Sequence, residues 1–277
     1  MANYVQLIPA QTFISAPQTA ESPEISAEKT QSYPTYKAFP SAGAALKYLL
    51  QVYQPQILGF GEFHNEYDLD FDSTSQRFAQ EVIPVLKKSG FNDLVLEFIP
   101  DDPIADAELK YFKKEGKLSK EHTPNLIKWL GEFDRKGIRK IYEMANNLNL
   151  YGGNLSLPEV KAADERILKR DQAEIIAERV RNKSELLLKK GRKVATYTGL
   201  YHNDINPEKR DENISFGNSL SEKYNYLEID LIVPEIFKAY SGEIREKSLY
   251  SSLTPKSGVL LIQESERKFI ILFCPGR

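Results

Sequence analysis

Short apolar runs punctuate the chain, and each stops abruptly at a glycine, a carboxylate or a proline: PQILGF, DLVLEF, RKVATYT and YLEIDLIV. They are too short for helices and too continuously apolar for half-exposed strands, so they read as strands buried on both faces. Longer stretches with helical spacing separate them. Strands alternating with helices specify an α/β fold, with a central, mostly parallel sheet flanked by helices. The closing GVLLIQ–ESER–KFIILFC reads as a C-terminal β-hairpin that adds antiparallel edge strands.

Residues 1 to about 38 are rich in Ser, Thr, Pro, Gln and Ala without apolar period, and read as a flexible or loosely docked arm. Residues 39–277 read as one α/β domain. It opens with a helix, AGAALKYLLQVY. Ser73 and Gln76 make a capping box for a second helix that runs to Lys88 and stops at Gly90. Residues 101–148 read as a helical insertion, and NLYGG (Asn149–Gly153) as a third strand. A long helix follows Pro158 and ends at Lys190, with Gly191 as its cap.

The formal charge of -2 over 277 residues argues against a nucleic-acid partner, which would require a basic face. One cysteine, Cys274, excludes an intrachain disulfide and a Cys-based zinc site. No run approaches the roughly 18 apolar residues of a membrane span. The start, MANYVQLIPAQTFISAPQTA, has neither a basic n-region nor a continuous apolar core, so no signal peptide is expected. A cytoplasmic location follows, or a periplasmic or cell-envelope one if the N-terminus is processed.

Two of the chain's three histidines stand in matching settings. Gly61 to Asn65 and Gly199 to Asn203 both read Gly-x-x-His-Asn, and each closes an apolar run. Ligands of open α/β sheets bind beyond the carboxyl ends of the strands. Four segments therefore deliver Glu62, His64, Glu97, His202 and Asp230 to one rim; Asp230 reads equally well as a cap for a helix starting at Pro234. Glu97 follows the apolar LVL, and a buried carboxylate there requires a cationic or metal partner or a proton. Histidine beside carboxylate suits acid–base chemistry, and two imidazoles with a carboxylate (His64, His202, Glu97) suit a divalent metal. Asn65, Asn203, Asp204 and Tyr201, which flank the histidines, are candidates for holding a substrate. HNDINP also makes a good turn.

Other motifs fail. GFGEFH begins like GxGxxG, but His64 replaces the third glycine and an acidic run follows. That run, EYDLDFD, lacks the glycine and closing glutamate of an EF-hand and suits a helix N-terminus better. His122, before Pro124, reads as structural or exposed.

The segments GEFHN, LVLEF and GLYHND, in that order, resemble the superfamily joining ChaN-like haem-binding, erythromycin-esterase-like and TraB/Tiki-type proteins. The resemblance covers roughly residues 40 to 275 and implies the motif residues together at one edge of the sheet. Erythromycin-esterase-like relatives open a lactone with histidine and glutamate activating water. Tiki-type relatives are similar to metal-dependent proteases, and ChaN-like relatives bind haem through a tyrosine at a subunit contact, which implies a homodimer. An Arg-Asp pair common in relatives matches Arg170-Asp171 loosely and makes Arg170 a candidate for orienting an anion. The lipobox cysteine of ChaN-like lipoproteins is missing near this start.

The expectation is a hydrolase of an ester, lactone or amide bond in a small molecule or peptide. In it His64 and Glu97 activate water, His202 stabilises the oxyanion or binds metal, and Glu62 orients a histidine. The alternative is a haem or iron-ligand binding protein, for which Tyr67, Tyr197 and Tyr201 flank the motifs.

Overall fold

In the computed structural model the apolar runs form one eight-stranded sheet. Its strands are β1 (Thr35–Phe39), β2 (Ile57–Glu62), β3 (Asp93–Pro100), β4 (Asn149–Asn154), β5 (Val194–Gly199), β6 (Tyr226–Ile232), β7 (Val259–Gln263) and β8 (Lys268–Phe273). The structure describes residues 34–63, 71–100, 103–115, 134–155, 168–239, 253 and 255–275. The strand order is β1-β7-β8-β6-β2-β5-β3-β4. The six strands from β8 to β4 run parallel, and β7 pairs antiparallel with both β8 and β1. This is the expected α/β architecture.

Register sets which side chains share a face. Phe60 pairs with Tyr197, and Gly61 with both Thr198 and Asp230. Side chains alternate across a sheet, so Leu58, Phe60, Glu62 and Tyr197 point one way. Gly59, Gly61, Thr198, Glu228 and Asp230 point the other. The first face carries the larger core, with Leu46 and Leu49 from the helix Ala42–Tyr53 and Phe78, Val82 and Leu86 from the region after β2. It also takes Ile138 and Ile141 from the helix Arg135–Met144. The second face packs Ile176, Val180 and Leu187 of the helix Leu168–Leu188, together with Phe216 and Leu220, against Val95 and Val194.

The chain therefore leaves β2 and β3 towards the first face and leaves β5 towards the second. Neighbouring strands whose connections diverge open a crevice beyond their carboxyl ends, the switch point at which open α/β sheets bind ligands. Here it falls at β2, β5 and β3.

Three local features differ from expectation. The hairpin β7–β8 forms, but it is not an edge. Thr35–Phe39, all but its last residue assigned to the arm, instead pairs along β7 and supplies the edge strand. The Ser73/Gln76 capping box is present, yet the helix passes through a π-helical turn, Phe78–Val82, before continuing as Ile83–Lys88. β3 shifts register against β4 between Leu96 and Pro100, so this strand bends just where Glu97 stands. Gly90 and Gly191 take φ of +83° and +73°, the left-handed conformation that ends both helices as anticipated. In the insertion, Pro103–Glu115 and Arg135–Met144 are helical and 116–133 lie outside the described residues. Among the described residues no helix is long and apolar enough to cross a membrane.

Candidate active site at the carboxyl ends of the central strands

β5 ends at Gly199, and the chain turns at once into a short helix, Leu200–Asn203. This turn carries His202 back over the sheet. Glu97, from the bent end of β3, reaches across and accepts the Gly199 N–H through Oε2 at 2.7 Å. Its other oxygen, Oε1, lies 3.7 Å from His202 Nε2. His202 Nδ1 lies 2.6 Å from the carbonyl oxygen of Ile214. A carbonyl only accepts, so Nδ1 carries the proton and Nε2 presents its lone pair towards Glu97 in the neutral ring. His202 is 8% exposed and Glu97 6%. Two of the expected residues thus meet, nearly buried, at the switch point.

Glu62 is also at the carboxyl end, but on the opposite face from Glu97. Its Oε2 accepts from the Tyr197 hydroxyl and, at 3.4 Å, from Ser75. Tyr197 is clasped by Phe78, stacked at 4.2 Å, and by Phe98 at 5.6 Å. Burial first, then the Glu62 charge, hold the Tyr197 phenol well above its usual range. Tyr197 therefore acts as a neutral donor to Glu62 at ordinary pH. From the sequence alone Tyr197 is only a tyrosine near a histidine; its hydrogen bond to Glu62 follows from its pairing with Phe60, two residues before Glu62 on the same face of β2.

Asn203, expected near a substrate, is fully buried. Its Nδ2 donates to the Gly59 carbonyl at 3.0 Å and to Asp230 at 3.4 Å, and its Oδ1 accepts from Tyr226. Asp204 closes a turn onto Asn206 N at 2.9 Å and pairs with Lys268 at 3.1 Å. Tyr201 is 62% exposed. Asp230 does not cap the helix Pro234–Ala239; it lies within β6, opposite Gly61, facing Asn203.

Beside it, Glu228 accepts the Ile205 N–H at 2.8 Å and meets Lys268 Nζ at 2.9 Å. Burial pushes Asp230 up to about 7, against the opposing pull of Lys268, and raises Glu228 well above the usual carboxylate range. Glu228 and Lys268 were missed in the sequence. The available signal was E-x-D within the apolar YLEIDLIV, which puts two carboxylates on one buried face and calls for a cation.

His64, Asn65, Tyr67 and His122 lie outside the described residues, as does the side chain of Arg170. Among the described residues no three His, Cys, Asp or Glu side chains are grouped to hold a metal ion. Of the expected ligand set, His202 and Glu97 are together.

No family model matches the chain, and no curated protein matches it. Solved structures do. The type III effector HopBA1 aligns over 87% of this chain and 98% of its own, at 12% identity and a TM-score of 0.50. ChaN of Campylobacter jejuni, solved with cofacially bound haem, aligns over 73% of this chain and 88% of its own, at 14% identity and a TM-score of 0.43. RRSP, a MARTX toxin effector domain from Vibrio vulnificus CMCP6, aligns over 65% of this chain and 34% of its own, at 16% identity and a TM-score of 0.43. At 12% identity, the match to HopBA1 is one of fold.

Proposed function

We propose that the protein is a hydrolase of an ester, lactone or amide bond, with His202 and Glu97 acting together on water. The observation that carries this reading is the 3.7 Å gap between His202 Nε2 and Glu97 Oε1, with Nδ1 committed to Ile214. The gap is long for a hydrogen bond and lets two acceptors grip one water by its two protons. Transfer of one proton to Nε2 gives hydroxide for attack on a carbonyl carbon and leaves an imidazolium between the Glu97 carboxylate and the Ile214 carbonyl. The same proton then goes to the leaving oxygen or nitrogen as the tetrahedral species collapses. Glu62, on the other face, takes the role of tying the end of β2 to Tyr197 and Ser75 rather than touching water.

A divalent metal also fits part of this donor set, since Nε2 and Oε1 present lone pairs to one another. His202 and Glu97 would hold it, with His64 as the third ligand, and its chemistry there would be to lower the pKa of bound water. A second reading, haem binding, draws on Tyr201, an exposed tyrosine adjoining His202. A Soret titration comparing wild type with Tyr201→Phe tests it; a shift abolished by the substitution supports haem, and no shift removes it.

The hydrolase is tested by turnover of p-nitrophenyl esters, lactones and short peptides, with metal content measured on the same preparation. We expect turnover of one class, falling by about 100-fold or more in His202→Asn with an unchanged thermal melt. Equal turnover in wild type and His202→Asn would overturn the reading.

A further inference from the structure

His202 does not hold its own place. The residues that follow it are fastened on two sides. On one, the His202 carbonyl accepts the Phe216 N–H at 2.9 Å, and the Asp204 carbonyl accepts from the Ser215 hydroxyl. These contacts set the loop whose Ile214 carbonyl receives Nδ1. On the other, Asn203 is tied to Gly59, Tyr226 and Asp230, and Ile205 N to Glu228.

One cation joins the second side. Lys268, the first residue of β8, places Nζ 2.9 Å from Glu228, 3.1 Å from Asp204 and 4.0 Å from Glu264. Asp230 adds a further buried carboxylate beside them. Burial alone would push the ammonium down, but Glu228, Asp230 and Asp204 hold it well above its usual range. Without that charge, Asp204, Glu228 and Asp230 face one another in a site of low dielectric. Like charges there must take up protons or move apart. Glu228 and Asp230 are fixed in β6, whereas Asp204 is on a turn. Glu228 and Asp230 take up protons in place, whereas the Asp204 carboxylate swings away with its turn; the Asp204 carbonyl is the one that accepts from the Ser215 hydroxyl, one residue from Ile214.

We propose that Lys268 is the positioning residue for the His202 imidazole: by drawing Asp204 down onto Glu228 it holds the Ile214 carbonyl under Nδ1 and so keeps the lone pair on Nε2, facing Glu97. Its consequence for catalysis rests on the hydrolase reading; its consequence for the ring does not. Lys268 touches neither His202 nor Glu97 and acts only through the turn.

The test is the ¹³Cδ2 and ring ¹⁵N chemical shifts of His202, assigned with His202→Asn and read at fixed pH in Lys268→Met, Asp204→Asn and Leu46→Ala. Leu46 is fully buried in the core on the opposite face and controls for general loss of stability. We expect wild type and Leu46→Ala to show the Nδ1–H tautomer, and Lys268→Met to move towards a mixture with Nε2–H. Asp204→Asn is expected to move the same way by less, and it decides the matter if Lys268→Met does not fold. An unchanged tautomer in the charge variants, or an equal change in Leu46→Ala, overturns the proposal. On a turned-over substrate, Lys268→Met is expected to lower kcat by roughly 100-fold with little change in KM. Absence of turnover in wild type would count against the hydrolase alone and leave the tautomer result to judge Lys268.

Discussion

A Cβ at residue 59 would lie 1.8 Å from both Asn203 Oδ1 and the Tyr226 hydroxyl. Glycine at this place in β2 is thus what lets the His202 turn lie flat on the sheet. Gly59→Ala is expected to destabilise the fold by about 1–3 kcal/mol, the usual range for overpacking, and to weaken turnover as well; a denaturant midpoint and an activity assay read both. Glu97 carries two jobs on two oxygens. Glu97→Gln keeps an acceptor for Gly199 N–H but loses the charge beside Nε2. Turnover should fall by roughly 10²–10⁴-fold while stability changes by about 1 kcal/mol, checked by kinetics and melting on one sample. The nearness of Glu97 to His202 was foreseeable because both stand at the carboxyl ends of apolar runs, Glu97 as a carboxylate after LVL and His202 in the second of two Gly-x-x-His-Asn segments. The Tyr197–Glu62 bond and the Lys268 cluster were not, since each depends on which strands become neighbours. Sequence order gives no sign that β8 would lie beside β6.

At the scale of elements, the polar side chains that start helices do more than cap them. Ser73 accepts Gln76 N at 3.1 Å and also donates to Asp134, which itself accepts Gly137 N at 2.8 Å as the cap of the helix Arg135–Met144. Ser73→Ala therefore loosens two helix starts at once. We expect a loss of about 1–2 kcal/mol, at the upper end for a single cap, measurable as a lowered denaturant midpoint. The capping box was readable because its spacing is local. The link to Asp134 was not, because it joins segments brought together only by the first-face core. Likewise, the hairpin was read correctly from ESER between two apolar runs, but its place inside the sheet was not. TYKAF carries too little apolar signal to announce a strand, and its side chains remain largely exposed. It forms because β7 offers a free edge.

Over the whole molecule, the strand connections matter more than any single motif. The connections after β2 and β3 pass to one face and that after β5 to the other, so the crevice, the Glu97–His202 pair and the ion cluster behind it follow from one topology. The buried carboxylates also give the fold a pH signature. Asp230 titrates near pH 7 in the fold against an ordinary 3.8, so between these values the folded chain holds a proton that the unfolded chain has lost. Its contribution is complete below about pH 4 and declines as pH rises through 7. Asp230→Asn removes that decline. Its stability relative to wild type should therefore increase from pH 5 to pH 8, as read by urea unfolding at the two values.

In the proposed hydrolase, Glu97 and His202 act on one water as a unit. The direct measurement is a double-mutant cycle in kcat/KM with Glu97→Gln, His202→Asn and the combined variant, on whichever ester, lactone or peptide wild type turns over. Residues that work as a unit lose nearly everything with the first substitution. If so, the double variant is no slower than the worse single one, and each variant remains folded, with stability shifted by no more than about 1 kcal/mol per substitution. Losses that simply multiply, or turnover that survives either single substitution, would contradict it.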